Sequence, residues 1–174
     1  MKKQSLVILF ISIISMFEVM AEVSVPNIFS DKMVLQQNLK NKVWGWAKAG
    51  EEVKVSFAGK DYSAKADEKG DWSIHLEPQK YGGPFELKIS ATNTLTFKDV
   101  LVGEVWVCSG QSNMGWSVSN SYDADVESMM AKYKNLRLIK VPLVGTQEPQ
   151  KNIDATWMEC TPQNVMAFSA AGYF

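Results

Sequence analysis

From Val53 to Phe97 the apolar residues fall on every second position. Val53, Val55 and Phe57 alternate with Lys54 and Ser56. Trp72, Ile74 and Leu76 alternate with Ser73 and His75, and Phe85, Leu87, Ile89 and Ala91 with Glu86, Lys88 and Ser90. Successive side chains of an extended chain point to opposite faces, so each run predicts a strand with one buried face. Turn-forming stretches separate the runs: Ala58-Gly59-Lys60-Asp61, Asp67-Glu68-Lys69-Gly70 and Tyr81-Gly82-Gly83-Pro84. Val43-Trp44-Gly45-Trp46-Ala47 adds one more strand. Short, evenly spaced strands predict a small antiparallel β-sandwich over residues 22–98.

Beyond Asp99 the pattern changes. Val100 to Val107 is nearly continuous in apolar residues, as in a strand covered on both faces. A polar loop follows, and Asp123 is placed to cap a helix with Val126, Met129, Met130 and Tyr133 on one face. Arg137-Leu138-Ile139-Lys140-Val141 reads as the next strand. Strand, helix, strand is the beginning of a parallel α/β domain. A second helix starts near Asn164, with Val165, Phe168 and Ala171-Gly172 at helical spacing, and the chain stops at Phe174 inside it. Residues 99–174 therefore read as the incomplete start of an α/β domain, the N-terminal portion of a longer protein.

Composition narrows the function classes. Apolar residues make up 46% and charged residues 21%, which supports a packed core. The net charge is −1 with no basic run, so the footprint of a nucleic-acid binder is absent. Residues 1–21 have the order of a secretory leader: Lys2-Lys3, an apolar stretch from Leu6 to Phe17, then Val19-Met20-Ala21 before Glu22. An N-terminal membrane anchor is the competing reading. A cleaved leader puts the mature chain in the periplasm or outside the cell, with no stable membrane association. Cys108 and Cys160 form either one bridge, as exported proteins favour, or two separate buried thiols.

The candidate chemistry lies in Cys108-Ser109-Gly110-Gln111-Ser112-Asn113-Met114. A Gly-x-Ser turn after a buried strand presents a hydroxyl at a sheet edge, where hydrolases place a nucleophile. It is not the Gly-x-Ser-x-Gly elbow, because Met114 stands where that motif has glycine. Ser112 is the candidate nucleophile, and Ser109 the competitor. A serine needs a neighbouring base, yet the only histidine, His75, alternates outward on a distant strand. Trp44, Trp46 and Trp72 read as sandwich core rather than a sugar-stacking platform. Asp123, Asp125 and Glu127 read as helix capping rather than metal ligands. No cofactor and no metal is called for.

The chain resembles the sialate O-acetylesterases, carbohydrate esterases of the SGNH hydrolase group. The resemblance rests on Pro26-Asn27-Ile28-Phe29-Ser30-Asp31-Lys32-Met33-Val34-Leu35-Gln36, on Val43 to Ala47, on Ala66-Asp67 with Gly70-Asp71-Trp72, and on Gly82-Gly83-Pro84. It rests most of all on the run from Asp99 to Met114, and it extends to Phe168–Phe174. The resemblance implies a β-sandwich followed by the truncated beginning of an α/β/α, flavodoxin-like hydrolase domain. It implies that Ser112 attacks acetyl esters on sugars such as sialic acid and that its backbone N–H helps to form the oxyanion hole. It also places the family's Asp-x-x-His pair beyond residue 174, so this chain alone is expected to be inactive. The other functional class open to the sequence is a non-catalytic carbohydrate-binding or structural β-sandwich module.

Overall fold

Each alternating run is a strand in the computed structural model, which describes residues 22–174. The leader expected at residues 1–21 lies outside the described residues. The first seven strands are β1 (Val34–Gln36), β2 (Asn41–Trp46), β3 (Glu52–Phe57), β4 (Lys60–Lys65), β5 (Asp71–Leu76), β6 (Gly82–Ser90) and β7 (Thr94–Gly103). They form a five-stranded sheet in the order β1-β7-β6-β3-β4 and a two-stranded sheet, β2-β5. The larger sheet is mixed: β1 runs parallel to β7, and its other pairings are antiparallel.

The two sheets share one core. Val43, Trp72, Ile74 and Leu76 come from the smaller sheet; Val53, Val55, Phe57, Leu87, Ile89, Val100 and Val102 come from the larger. Burying such a side chain contributes roughly 1.5–3 kcal/mol relative to leaving it in water. The intervening Lys54, Ser73, His75, Glu86 and Lys88 stay at the surface, so the period of two is a record of which face is covered.

The expectation for Val100–Val107 needs correction. The strand begins at Thr94, ends at Gly103 and belongs to the first sheet, crossing the boundary placed after residue 98. Trp106 and Val107 are 84% and 90% exposed. The apolar run is thus two structures in series. Val100 and Val102 are core, and their continuation is an open loop.

The remaining elements are α1 (Ser112–Gly115), a single 3₁₀ turn at Val118–Asn120, α2 (Ala124–Met130), β8 (Tyr133–Leu138), β9 (Met158–Cys160), α3 (Pro162–Val165) and α4 (Ala170–Tyr173). β8 pairs with β9, and the pairing is antiparallel, not the parallel arrangement expected. The strand foreseen at 137–141 starts earlier, at Tyr133, and stops at Leu138. Asp123 does precede α2, but in a left-handed conformation (φ 53°) and without a side-chain capping bond. The helix face of Val126, Met129 and Met130 is exposed among the described residues. A second, smaller core joins Val118, Ala131, Leu138, Cys160, Val165 and Ala170. Cys160 is buried there and Cys108 is exposed, two separate free thiols rather than a bridge.

Polar links tie this part to the first sheets. The chain's single arginine, Arg137, is 4% exposed and meets Asp99 at 2.9 Å. Trp157 packs on the first core and donates its indole N–H to the Ile28 carbonyl at 2.9 Å. The Asn27 backbone N–H donates to the Asn152 amide oxygen at 2.7 Å, and its side-chain NH₂ donates to the Ile153 carbonyl at 2.8 Å.

Candidate active site

The site is built where β7 runs out. Gly103, the last residue of β7, pairs with Gln36 of β1, and its carbonyl accepts the Gln37 N–H at 2.8 Å. From there the loop is clasped by side chains. The Gln36 amide oxygen accepts the Val105 N–H at 2.7 Å, while its NH₂ donates to the Glu104 carboxylate at 2.9 Å. Gln37 donates to the other carboxylate oxygen. These bonds, from Gln37 first and Gln36 second, hold the Glu104 carboxyl below the usual carboxylate range. A hydrogen bond to the charged form favours that form, which is the physical cause.

Past the clasp the loop runs exposed to Ser112, the first residue of α1. The Gly115 N–H closes this single turn onto the Gln111 carbonyl at 3.0 Å. The first N–H groups of a helix have no acceptor within the helix, and that of Ser112 meets no acceptor among the described residues. Ser112 itself is exposed, and no side chain bonds its hydroxyl among the described residues.

The segment is braced by α4 and the residues before it. Ser117 and Ser169 form an isolated antiparallel bridge. Val118 donates to the Phe168 carbonyl at 3.0 Å and Ala170 to the Trp116 carbonyl at 2.8 Å. The Ser169 hydroxyl accepts the Gly172 N–H at 3.2 Å and donates to the Met114 sulfur at 3.2 Å, linking the α4 cap to α1. Gly172 allows the closest approach: a Cβ there would lie 3.3 Å from Cys108 Cβ and 3.4 Å from its Sγ. These contacts fix the two ends of the serine loop, Cys108 on one side and Met114 on the other.

Of the residues singled out in the sequence, Ser112 and Ser109 lie on this loop and His75 does not. His75 sits on β5 opposite Lys42, on the exposed face of the two-stranded sheet, with no hydrogen bond or ion pair among the described residues. The structure does not bring it into contact with Ser112. Trp72 is core, at 3% exposure, as expected. Trp44 and Trp46 are both half-buried and lie on the opposite face of their sheet from Trp72; Trp44 still packs against the core's edge through Phe29, so only Trp46 departs from the core expectation. Asp125 and Glu127 occupy the first turn of α2, where the helix dipole favours acids. The positioning residues Gln36, Gln37, Glu104, Ser169 and Gly172 were not foreseen, because their roles depend on β1 lying beside β7 and α4 beside α1. Their one sequence signal is that Gln36, Glu104, Ser169 and Gly172 fall in the stretches that carry the family resemblance.

The fold that carries this exposed serine loop is similar to that of a solved carbohydrate acetylesterase. The solved structure of such an enzyme from Xanthomonas citri matches with a TM-score of 0.84 at 35% identity, over 87% of this chain and 35% of that one. No family model matches the chain. The chain is homologous to the sialate O-acetylesterases. It is 34% identical over 149 residues to that of Mus musculus, covering 76% of this chain and 28% of the relative. It is 35% identical over 162 residues to that of Homo sapiens, covering 83% of this chain and 30% of the relative. The chain thus spans less than a third of the length of these relatives.

Proposed function

We propose that this chain is the N-terminal part of an exported esterase that removes acetyl groups from O-acetylated sugars such as sialic acid, with Ser112 as nucleophile. One observation carries the reading: Ser112 stands exposed at the head of α1 in a chain about 35% identical to sialate O-acetylesterases. In this reading the Ser112 oxygen attacks the acetyl carbonyl and its proton passes to a base. The carbonyl oxygen becomes an oxyanion, and the Ser112 N–H, without an intrahelical acceptor, donates to it. The sugar hydroxyl then leaves, and water releases acetate from the serine. The base and its carboxylate partner are the Asp-x-x-His pair that the family resemblance places outside these residues.

Surface chemistry supports a division of labour. Apart from Leu39 and Tyr81, every exposed large apolar side chain among the described residues lies between Trp106 and Phe174. Apolar surface concentrated in this way marks a face that another part of a protein covers. Residues 22–103 are then a β-sandwich, and residues 104–174 the opening of a hydrolase domain whose remainder covers that face.

The test is an assay of residues 22–174 alone on a chromogenic acetyl ester and on an O-acetylated sugar. The expected result is no turnover, since a hydroxyl without a base is a poor nucleophile at neutral pH. Turnover that vanishes in Ser112→Ala would show that a base lies within these residues and would overturn this part of the reading.

A further inference from the structure

The β2–β5 sheet carries a second concave surface, on a different sheet from the strand that leads to Ser112. Register pairs Lys42 with His75, Trp44 with Ser73 and Trp46 with Asp71. Directly opposed residues of an antiparallel pair share a face, so these six side chains lie together, opposite the buried Val43, Trp72, Ile74 and Leu76. A hollow of about 490 Å³ is bordered by five of them, Lys42, Trp44, Trp46, Asp71 and Ser73, and, from a separate loop, by Lys151. That volume lies in the range of about 300–1,000 Å³ common to small-molecule clefts.

The hollow's aromatic residues are held in place. Phe29 meets Trp44 edge-on, with ring centroids 4.7 Å apart and planes at 78°. Trp46 is clamped through its backbone, exchanging two 2.8 Å hydrogen bonds with Ser24. Gly45, between the two tryptophans, is required by that contact, since a Cβ there would lie 2.0 Å from the Ser24 carbonyl oxygen. Asp71 is met by Lys151 at 3.4 Å, which brings the loop to the rim. Rigid aromatics ordered before binding lose little entropy when a ligand arrives.

We propose that this face binds a neutral pyranose unit of a glycan chain. Indole rings offer broad apolar surface to the C–H faces of a sugar. Ser73, the carboxylates and the ammonium groups offer both acceptors and donors to its hydroxyls. Two aspartates, Asp67 and Asp71, balance two lysines, Lys42 and Lys151, around the hollow, so its charge does not select an anion. A site of this kind would tether a polymeric substrate and raise its local concentration at a separate reaction centre. The inference goes beyond the esterase reading and stands whether or not Ser112 is a nucleophile.

The test is calorimetric titration of the chain with cellohexaose, xylohexaose and sialyllactose. Saturable binding of at least one neutral oligosaccharide is expected. Trp46→Ala should weaken it about tenfold, the scale of losing one aromatic contact. Ser73→Arg, at an exposed strand position that leaves the core alone, should block it, while Ser112→Ala should bind as the unaltered chain does. Circular dichroism checks that each variant is folded. No saturable binding of either neutral sugar, binding of sialyllactose alone, or unchanged affinity in folded Ser73→Arg would each overturn the proposal.

Discussion

Single residues carry much of what distinguishes this chain. The turn between β3 and β4 has only Ala58 and Gly59 between the paired Phe57 and Lys60, and both have positive φ, 49° and 77°. Two-residue hairpin turns of this hand favour Asn-Gly, and an L-residue such as alanine is strained there by roughly 1 kcal/mol. Ala58→Asn should therefore raise stability by about 0.5–1 kcal/mol. In thermal unfolding it should appear as an upward shift of a few degrees, and a lower midpoint would contradict the turn assignment. The cysteines supply a second residue-scale check. Burial pushes the Cys160 thiol up from its ordinary range, while Cys108 is exposed. A thiol reagent should label Cys108 alone in the native protein and both after denaturation without reductant. Failure to label either in the denatured, unreduced protein would restore the bridge.

At the scale of elements, the alternating strands were legible because each has one face in the core and one in water. β4 was not legible: Lys60, Asp61 and Lys65 are charged, and its half-buried Tyr62 and Ala64 make too faint an alternation on an edge strand. The run from Val100 to Val107 misled for the opposite reason. Unbroken apolar character does not distinguish a core strand from a loop whose apolar residues face outward. The serine loop was legible from its Gly-Gln-Ser turn, but its supports were not, because Gln36 and Glu104 meet only through the β1–β7 pairing. That clasp has a pH signature. The folded carboxyl of Glu104 is lowered, so its stabilisation is full above the ordinary carboxylate pKa and is lost as pH falls through the folded value. The protection of the Val105 amide, measured as its exchange rate relative to the intrinsic rate at each pH, should fall in acid and should already be low at neutral pH in Gln36→Ala; protection unchanged by either would argue against the clasp. The Asp99–Arg137 pair links β7 to β8. Asp99→Asn keeps a residue that tolerates the positive φ of 55° but removes the charge facing a buried guanidinium. It should cost about 1.5–3 kcal/mol by chemical denaturation, the scale of a hydrogen bond to a charged group.

At the scale of the whole molecule, the proposals are an exported protein whose first sheets carry a sugar-binding face and whose serine loop works with catalytic partners outside these residues. Export predicts that the mature protein begins at or near Glu22. N-terminal sequencing of secreted material checks this, and membrane-bound protein retaining Met1 would contradict it. The central claim is that Ser112 attacks the ester. It is tested most directly by acetyl-ester hydrolysis in the full-length protein, comparing Ser112→Ala with Ser109→Ala. Removing the attacking oxygen should lower kcat by on the order of 10⁴-fold while leaving thermal unfolding unchanged, because little volume is lost and Ser112 is exposed. Ser109→Ala should remain within a few-fold of the unaltered enzyme. Activity near normal in Ser112→Ala, with the loss appearing in Ser109→Ala instead, would contradict the account and move the nucleophile three residues upstream.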